Sequence, residues 1–353
     1  MRASPLARVA CAVYALLIVY GSLYPFTGWR NQGLSPFDFV VAPTPRFVTA
    51  FDVAANLIGY VPYGFLCVLA LHPRLQGARA LGVGALIGTV LSLCMEALQT
   101  YLPTRFASNL DVLCNLGGTL AGGALALRFV PWLLGTGPLH RARSALFQPG
   151  LAADLGLVLL ALWLFTQLDP TTLLFGAGDL RNLLAGTGGT LHAPELFVSV
   201  EALTCGANLV AVALLLSVIA SPTSPVRAVL LALVLVALAV KTAAFAILMR
   251  AENVLVWLTP GAWQGLAVGA LAALAAVALP RVARIACAAV LLMAATVLVN
   301  LAPPNPYLAA SLTLWQQGHF LNFNGLTRLV SSMWPFAALG YLTWVGARRT
   351  ALG

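Results

Sequence analysis

The chain has 353 residues, 61% of them apolar and 8% charged, with a mean hydropathy of +0.93, a composition that excludes a soluble globular domain and a disordered segment. Its net charge of +9 comes from 18 arginines and a single lysine. These cations fall in short clusters between apolar runs and not along one amphipathic face, which argues against a nucleic-acid groove and for topology signals.

Spanning a bilayer takes about 20 mostly apolar residues, and on that rule the sequence predicts an all-α polytopic bundle of ten spans. They fall near Pro5–Tyr24, Phe51–Leu71, Ala78–Tyr101, Leu110–Leu134, Leu151–Leu168, Leu196–Ala220, Ala228–Met249, Pro260–Leu279, Val282–Ala302 and Leu326–Gly346. The first run follows Arg2 and Arg8 as a signal peptide would, but it ends in Tyr24-Pro25-Phe26 without a small-residue cleavage site, so it is expected to be retained. Counted over alternate loops, twelve arginines lie on the side of both termini and six on the other. By the positive-inside rule the termini are expected in the cytoplasm.

The basic stretch 135–150, with Pro138, Arg141, Arg143 and Pro149, is expected to be a cytoplasmic linker. It separates a four-helix unit, 1–134, from a six-helix unit, 151–353. The loop Asp169–Glu195 is long, and its portion Thr171–Leu184 is expected to lie on the membrane as a short amphipathic helix. Six cysteines (Cys11, Cys67, Cys94, Cys114, Cys205 and Cys287) sit in apolar runs with no CxxC pair, and no histidine spacing suits zinc. His192 and Glu195 are three apart beside a proline and lack a third ligand, so they read as loop residues. No metal or cofactor is expected.

Polar residues interrupt the first unit in a particular order: Asp52, Asn56, Glu96, Gln99, Arg105, Ser108, Asp111 and Asn115. Asp52/Asn56 and Asp111/Asn115 are four apart and Glu96/Gln99 three apart, so each helix presents a carboxylate and an amide on one face. The expected topology brings all three pairs to the outer face. Charges and amides at membrane depth are costly and mark functional sites by default. Glu96, near the C-terminal end of its helix, opposes the macrodipole and calls for a cation, for which Arg105 is the nearest candidate. The structural alternative stands beside this one. Ser108-Asn109-Leu110-Asp111 matches the S-x-x-[DE] capping box, Asp52 can cap the second span, and Asn56 and Asn115 can cross-link helices. Gly117, Gly118, Gly122 and Gly123, with Gly84 and Gly88, give small-residue spacing for close helix packing, and Pro62 interrupts the second span.

The composite Asp52-x3-Asn56-Leu-Ile-Gly-Tyr-Val-Pro62-Tyr-Gly64, Glu96-x2-Gln99 and Arg105-x2-Ser108-x2-Asp111-x3-Asn115-x2-Gly118 resembles the VanZ-like family of membrane proteins over about residues 10–130. The family's namesake is associated with low-level teicoplanin resistance. The resemblance implies an envelope-related role and supplies no reaction.

In the second unit Glu201 and Lys241 lie within spans, where each is costly unpaired, so they are expected to face each other or a shared cavity. Trp315, His319 and Asn322 belong to a polar-aromatic stretch suited to an interfacial belt.

The expected protein is therefore a multi-pass bacterial inner-membrane protein with an outward polar pocket for a cell-envelope amphiphile, either a lipid-linked precursor or a glycopeptide antibiotic. Its anionic head would meet Arg105 as a bidentate donor, its tail would lie along the glycine-lined helices, and nucleic acid is not an expected partner. An enzyme would use Glu96 or Asp111 as general base on a lipid-linked phosphate or ester. A transporter would use the kink at Pro62.

Overall fold

The computed structural model describes residues 4–44, 48–135, 137–181, 193–248, 254–303 and 321–350. Among the described residues the regular structure is helical, with one isolated antiparallel bridge between Phe147 and Ala220. In chain order the helices are α1 (Pro5–Leu23), α2 (Asp38–Val41), α3 (Ala50–Leu71), α4 (Gly77–Gln99), α5 (Asn109–Leu133), α6 (Pro138–Leu146), α7 (Leu151–Thr166), α8 (Pro194–Ile219), α9 (Val226–Leu248), α10 (Pro260–Ala276), α11 (Arg281–Leu301) and α12 (Leu321–Thr350). Seven of these, α1, α3, α4, α5, α8, α9 and α11, are long and apolar enough to cross a bilayer, while α7 and α10 are shorter apolar helices. The chain is thus an all-α, multi-pass membrane protein. Its contacts divide it into two compact units, Met1–Ser144 and Ala145–Gly353, and the division falls inside α6.

Unit 1 is built on the α3–α5 pair. A Cβ at Gly118 would fall on the Leu57 carbonyl, and one at Gly122 on the Val61 carbonyl, so these glycines let the two backbones touch. Helix α3 continues through Pro62. Helix α1 is far less buried than its neighbours. It starts cleanly, with the Ser4 hydroxyl accepting from Ala7 N–H (3.2 Å) and Pro5 in the first turn. Midway, Tyr14 Oη donates to the Gly59 carbonyl of α3 (2.8 Å).

Unit 2 is organised around α8, whose second half is buried on every side from Asn208 to Ile219, as a helix that is apolar all round requires. Helix α7 has 16 residues, about 24 Å of rise, short of a hydrocarbon core of roughly 30 Å. Beyond Thr166 the chain stays inside the unit without becoming helical. The expected amphipathic surface helix over Thr171–Leu184 is corrected here: residues 171–181 form no helix, and Leu174, Phe175, Ala177 and Gly178 are buried. Residues 182–184 lie outside the described ones.

Buried irregular backbone has to find partners within the protein, and this segment draws them from far away in sequence. Gly178 N–H donates to the Ser331 carbonyl (2.9 Å), and Leu180 N–H donates to Asn300 Oδ1 (2.8 Å). Asn300 Nδ2 returns a bond to the Gly178 carbonyl (2.7 Å), Ser332 Oγ donates to the Asp179 carbonyl (2.8 Å), and Lys241 Nζ donates to the carbonyls of Asp169 and Thr172.

Candidate functional site

The C-terminal ends of α1 and α4 and the N-terminal ends of α3 and α5 carry the polar residues of unit 1. Helix ends leave backbone N–H and C=O groups without partners, and much of the polar set answers them. Asp52 and Thr49 close a capping box at α3: Thr49 Oγ1 accepts from Asp52 N–H (3.1 Å), and Asp52 Oδ2 accepts from Thr49 N–H (3.2 Å) and the Thr49 hydroxyl (2.6 Å). Asp52 is exposed there and does the work of a helix cap.

At α5 the box is built differently. Ser108 Oγ accepts from Leu110 N–H (3.1 Å), but the Ser108 N–H donates to Glu96 Oε2 of α4 (2.8 Å). Glu96, only 4% exposed, thereby performs the task that the local pattern assigns to Asp111. It also places a side-chain acceptor at the N-terminus of α5, where the free backbone N–H groups call for one. Asp111 is left with a half-buried carboxylate that caps no backbone among the described residues, and Asn56 is its hydrogen-bonding neighbour.

Arg105 and Gln99 turn the other way, toward α1. Arg105 Nη2 donates to the carbonyls of Gly21 (3.2 Å) and Tyr24 (2.6 Å), and Gln99 Nε2 donates to that of Ser22 (2.9 Å). A guanidinium at a helix C-terminus meets both the free carbonyls and the negative end of the dipole. Burial pulls the Arg105 pKa below its usual value, and the Glu96 carboxylate opposes that shift. The two are electrostatic neighbours, yet no ion pair joins Arg105 to Glu96 within 4 Å. Among the described residues the hydrogen bonds of Arg105 use Nη2, so Nε and Nη1 remain available.

Below this layer the polar face continues inward one helical turn at a time. Asn56 leads to Tyr60 on α3, Glu96 to Ser92 on α4, and Asp111 to Asn115 and Thr119 on α5, all at spacings of four residues. Asn115 Nδ2 donates to Ser92 Oγ (2.9 Å), and the Thr119 hydroxyl donates to the Asn115 carbonyl (2.8 Å). Two buried atoms of this face have no partner among the described residues: Asn115 Oδ1 and Tyr60 Oη, the latter beside Ser92 but outside hydrogen-bonding geometry. Tyr60 and Ser92 are the residues a sequence reading passes over. Their signal is the four-residue step from Asn56 and from Glu96.

The arrangement offers a carboxylate with an amide, a guanidinium edge, and an interior amide oxygen and phenol hydroxyl without partners among the described residues. Among the described residues no group of three or more His, Cys, Asp or Glu is placed to hold a metal. The glycine face expected to hold an acyl tail is filled by the α3–α5 backbone contact, so apolar surface for a tail lies outside the bundle, at Leu57, Ile58, Leu113 and Phe106, all exposed. In unit 2, Glu201 and Lys241 are both buried and electrostatically coupled, but no direct ion pair joins them. His192, Trp315, His319 and the Asn322 side chain lie outside the described residues.

Comparison with curated proteins and with solved structures finds no match. A family model described as VanZ/LLP1 matches residues 9–131, about a third of the chain. That stretch runs from α1 to the last turn of α5 and holds all eight polar residues of the cluster, so the N-terminal unit of this membrane protein carries a VanZ-like domain.

Proposed function

We propose that the polar helix-end cluster of unit 1 faces the outside of a bacterial inner membrane and binds the head group of a cell-envelope amphiphile, in a role of envelope maintenance or antibiotic resistance. The observation that carries this reading is the Glu96–Ser108 bond. By taking over the cap of α5 from another helix, Glu96 leaves the Asp111 carboxylate free of the backbone and bonded to the Asn56 side chain. A group that served only the helix would be engaged as Asp52 is. A lipid-linked cell-wall precursor suits the chemistry: Asp111 and Asn56 accept from and donate to sugar or peptide groups, the free edge of Arg105 receives a phosphate oxygen, and the chain lies against Leu57, Ile58 and Leu113. A glycopeptide antibiotic presents the same kinds of hydroxyl and amide.

A second reading, a hydrolase or transferase on a lipid-linked phosphate or ester, is favoured by the same Asp111, which no backbone group engages among the described residues, as general base. Lipid mass spectrometry of the purified protein tests the first. Asn56→Leu is expected to lower a specific co-purifying polyprenyl-linked lipid by about tenfold, the equivalent of one charged or polar contact near 1.4 kcal/mol. Identical bulk phospholipids in wild type and variant, at equal stability, would refute it. Asp111→Asn separates the readings, since loss of turnover with the lipid still bound indicates catalysis. For orientation, Phe106→Cys in a cysteine-free background reacts with an impermeant reagent from outside, whereas Arg143→Cys does not.

A further inference from the structure

Lys241 is 0% exposed, in α9 seven residues before its end at Leu248. Its Nζ donates to the Asp169 carbonyl (2.7 Å), the Thr172 carbonyl (3.0 Å) and the Thr172 hydroxyl (3.4 Å), and lies 5.6 Å from the centre of the Phe245 ring. These partners are neutral oxygens from a non-helical stretch, a cage like those in which unwound backbone carbonyls hold a monovalent cation inside a membrane protein. The charges around it stand off. Asp169 and Glu201 are coupled to Lys241 electrostatically, Arg328 is coupled to Asp169 and Asp179, and Asp179 is paired with Arg181 at 2.6 Å. Asp169 is 1% exposed; its Oδ1 accepts from the Thr171 N–H and hydroxyl, but its Oδ2 is buried with no hydrogen-bond partner among the described residues. A fully buried ammonium thus sits beside a buried carboxylate with one empty acceptor, and both are joined to the same irregular segment.

We propose that Lys241 and Asp169 form a proton-binding site in unit 2 that sets the conformation of residues 167–181, the ammonium acting as a tethered cation in the oxygen cage. In alkaline solution one N–H bond at Lys241 Nζ breaks and its proton passes to hydroxide, giving water, and the site is left with an amine and a carboxylate. That change removes the charge assistance from the two bonds to the Asp169 and Thr172 carbonyls. The segment is held while Lys241 is protonated and released as the pH rises.

Hydrogen exchange of the full chain in lipid nanodiscs, corrected for the intrinsic pH dependence, reads this directly. Amide protection over 167–181 is expected to fall at least about tenfold from neutral to alkaline pH, the scale of one pKa unit of differential interaction, while α8 keeps its protection. Lys241→Met is expected to lack that protection at neutral pH, and Lys241→Arg to retain it. Protection over 167–181 that stays constant into the alkaline range, or Lys241→Met protected like wild type, overturns the proposal. Should Lys241→Met fail to fold, the wild-type titration alone decides.

Discussion

The two units place polar groups in an apolar body at opposite kinds of position. In unit 1 they gather at helix ends, where backbone groups are left over in any case, so Glu96, Ser108, Gln99 and Arg105 each answer one of them. In unit 2 the chain abandons the helix between Gln167 and Arg181 and buries that backbone, which draws Lys241, Asn300 and Ser332 to it from three different helices. Counting polar residues does not distinguish a site from a scaffold, since most of those in both units serve the backbone. What marks a candidate site is what the backbone leaves unclaimed: in unit 1 the Asp111 carboxylate is held by the Asn56 side chain, and the buried atoms without a partner among the described residues include Tyr60 Oη and Asn115 Oδ1 there and Asp169 Oδ2, Thr204 Oγ1 and both polar side-chain atoms of Asn324 in unit 2.

The strongest way to break unit 1 is through its backbone contact. Gly122→Leu would drive a side chain into the Val61 carbonyl and Phe65 N, with no flexible group to yield. Overpacking of this kind costs roughly 1–3 kcal/mol or more, so a large fall in melting temperature in detergent is expected, or no folded protein. Gly117→Ala, whose new Cβ would meet only Leu57 Cδ1 at 3.9 Å, is the control and is expected to be near neutral. Equal effects of the two would mean that the α3–α5 contact is not what holds the unit.

Glu96 and Asp111 sharpen the contrast between a working cap and a released carboxylate. Glu96→Ala leaves the Ser108 N–H buried without an acceptor and is expected to cost about 1–3 kcal/mol. Asp111→Asn is expected to leave thermal stability within about 0.5 kcal/mol, as for a substitution away from such structural features. If Asp111 instead matched Glu96, the local capping box would be the true arrangement and the case for a carboxylate free of the backbone would collapse.

These two residues also show what a sequence can reveal. The helices were legible because a span has to be long and apolar, and the convergence of the polar pairs at one end followed from antiparallel order. The S-x-x-D pattern at Ser108 was legible as a cap, but the exchange of Asp111 for Glu96 was not. It depends on the end of α4 lying against the start of α5, a tertiary fact with no local trace. Arg105 was read as a counter-ion for Glu96 because the two are near in sequence, whereas the free carbonyls of α1 lie more than eighty residues away. The segment after α7 escapes a local reading for the same reason. Its apolar and threonine residues suit a surface helix, and its partners at Lys241, Asn300 and Ser332 are 69 to 153 positions distant. The signal that did exist was the one lysine in the chain, set in the middle of an apolar helix.

Gln99→Leu removes one of the ties that hold the C-terminal end of α1. One neutral hydrogen bond is worth about 0.5–1.5 kcal/mol net, and Arg105 still grips Gly21 and Tyr24. The expected result is a modest loss of stability with a local gain in hydrogen exchange at the last turn of α1, leaving α3–α5 unchanged. Global loosening instead would make α1 part of the core.

The smallest effect is expected at Asp52, and it closes the comparison with Asp111. Asp52 is exposed and, among the described residues, its carboxylate is engaged by Thr49, through the N–H and the hydroxyl. Asp52→Ala and Thr49→Ala are each expected to cost about 1 kcal/mol, the usual worth of a helix cap. Because both belong to one reciprocal box, the double variant should cost clearly less than the two single costs added together. Additive costs would show that each residue acts on something other than its partner, and Asp52 would then have to be counted with Asp111 among the groups facing a ligand.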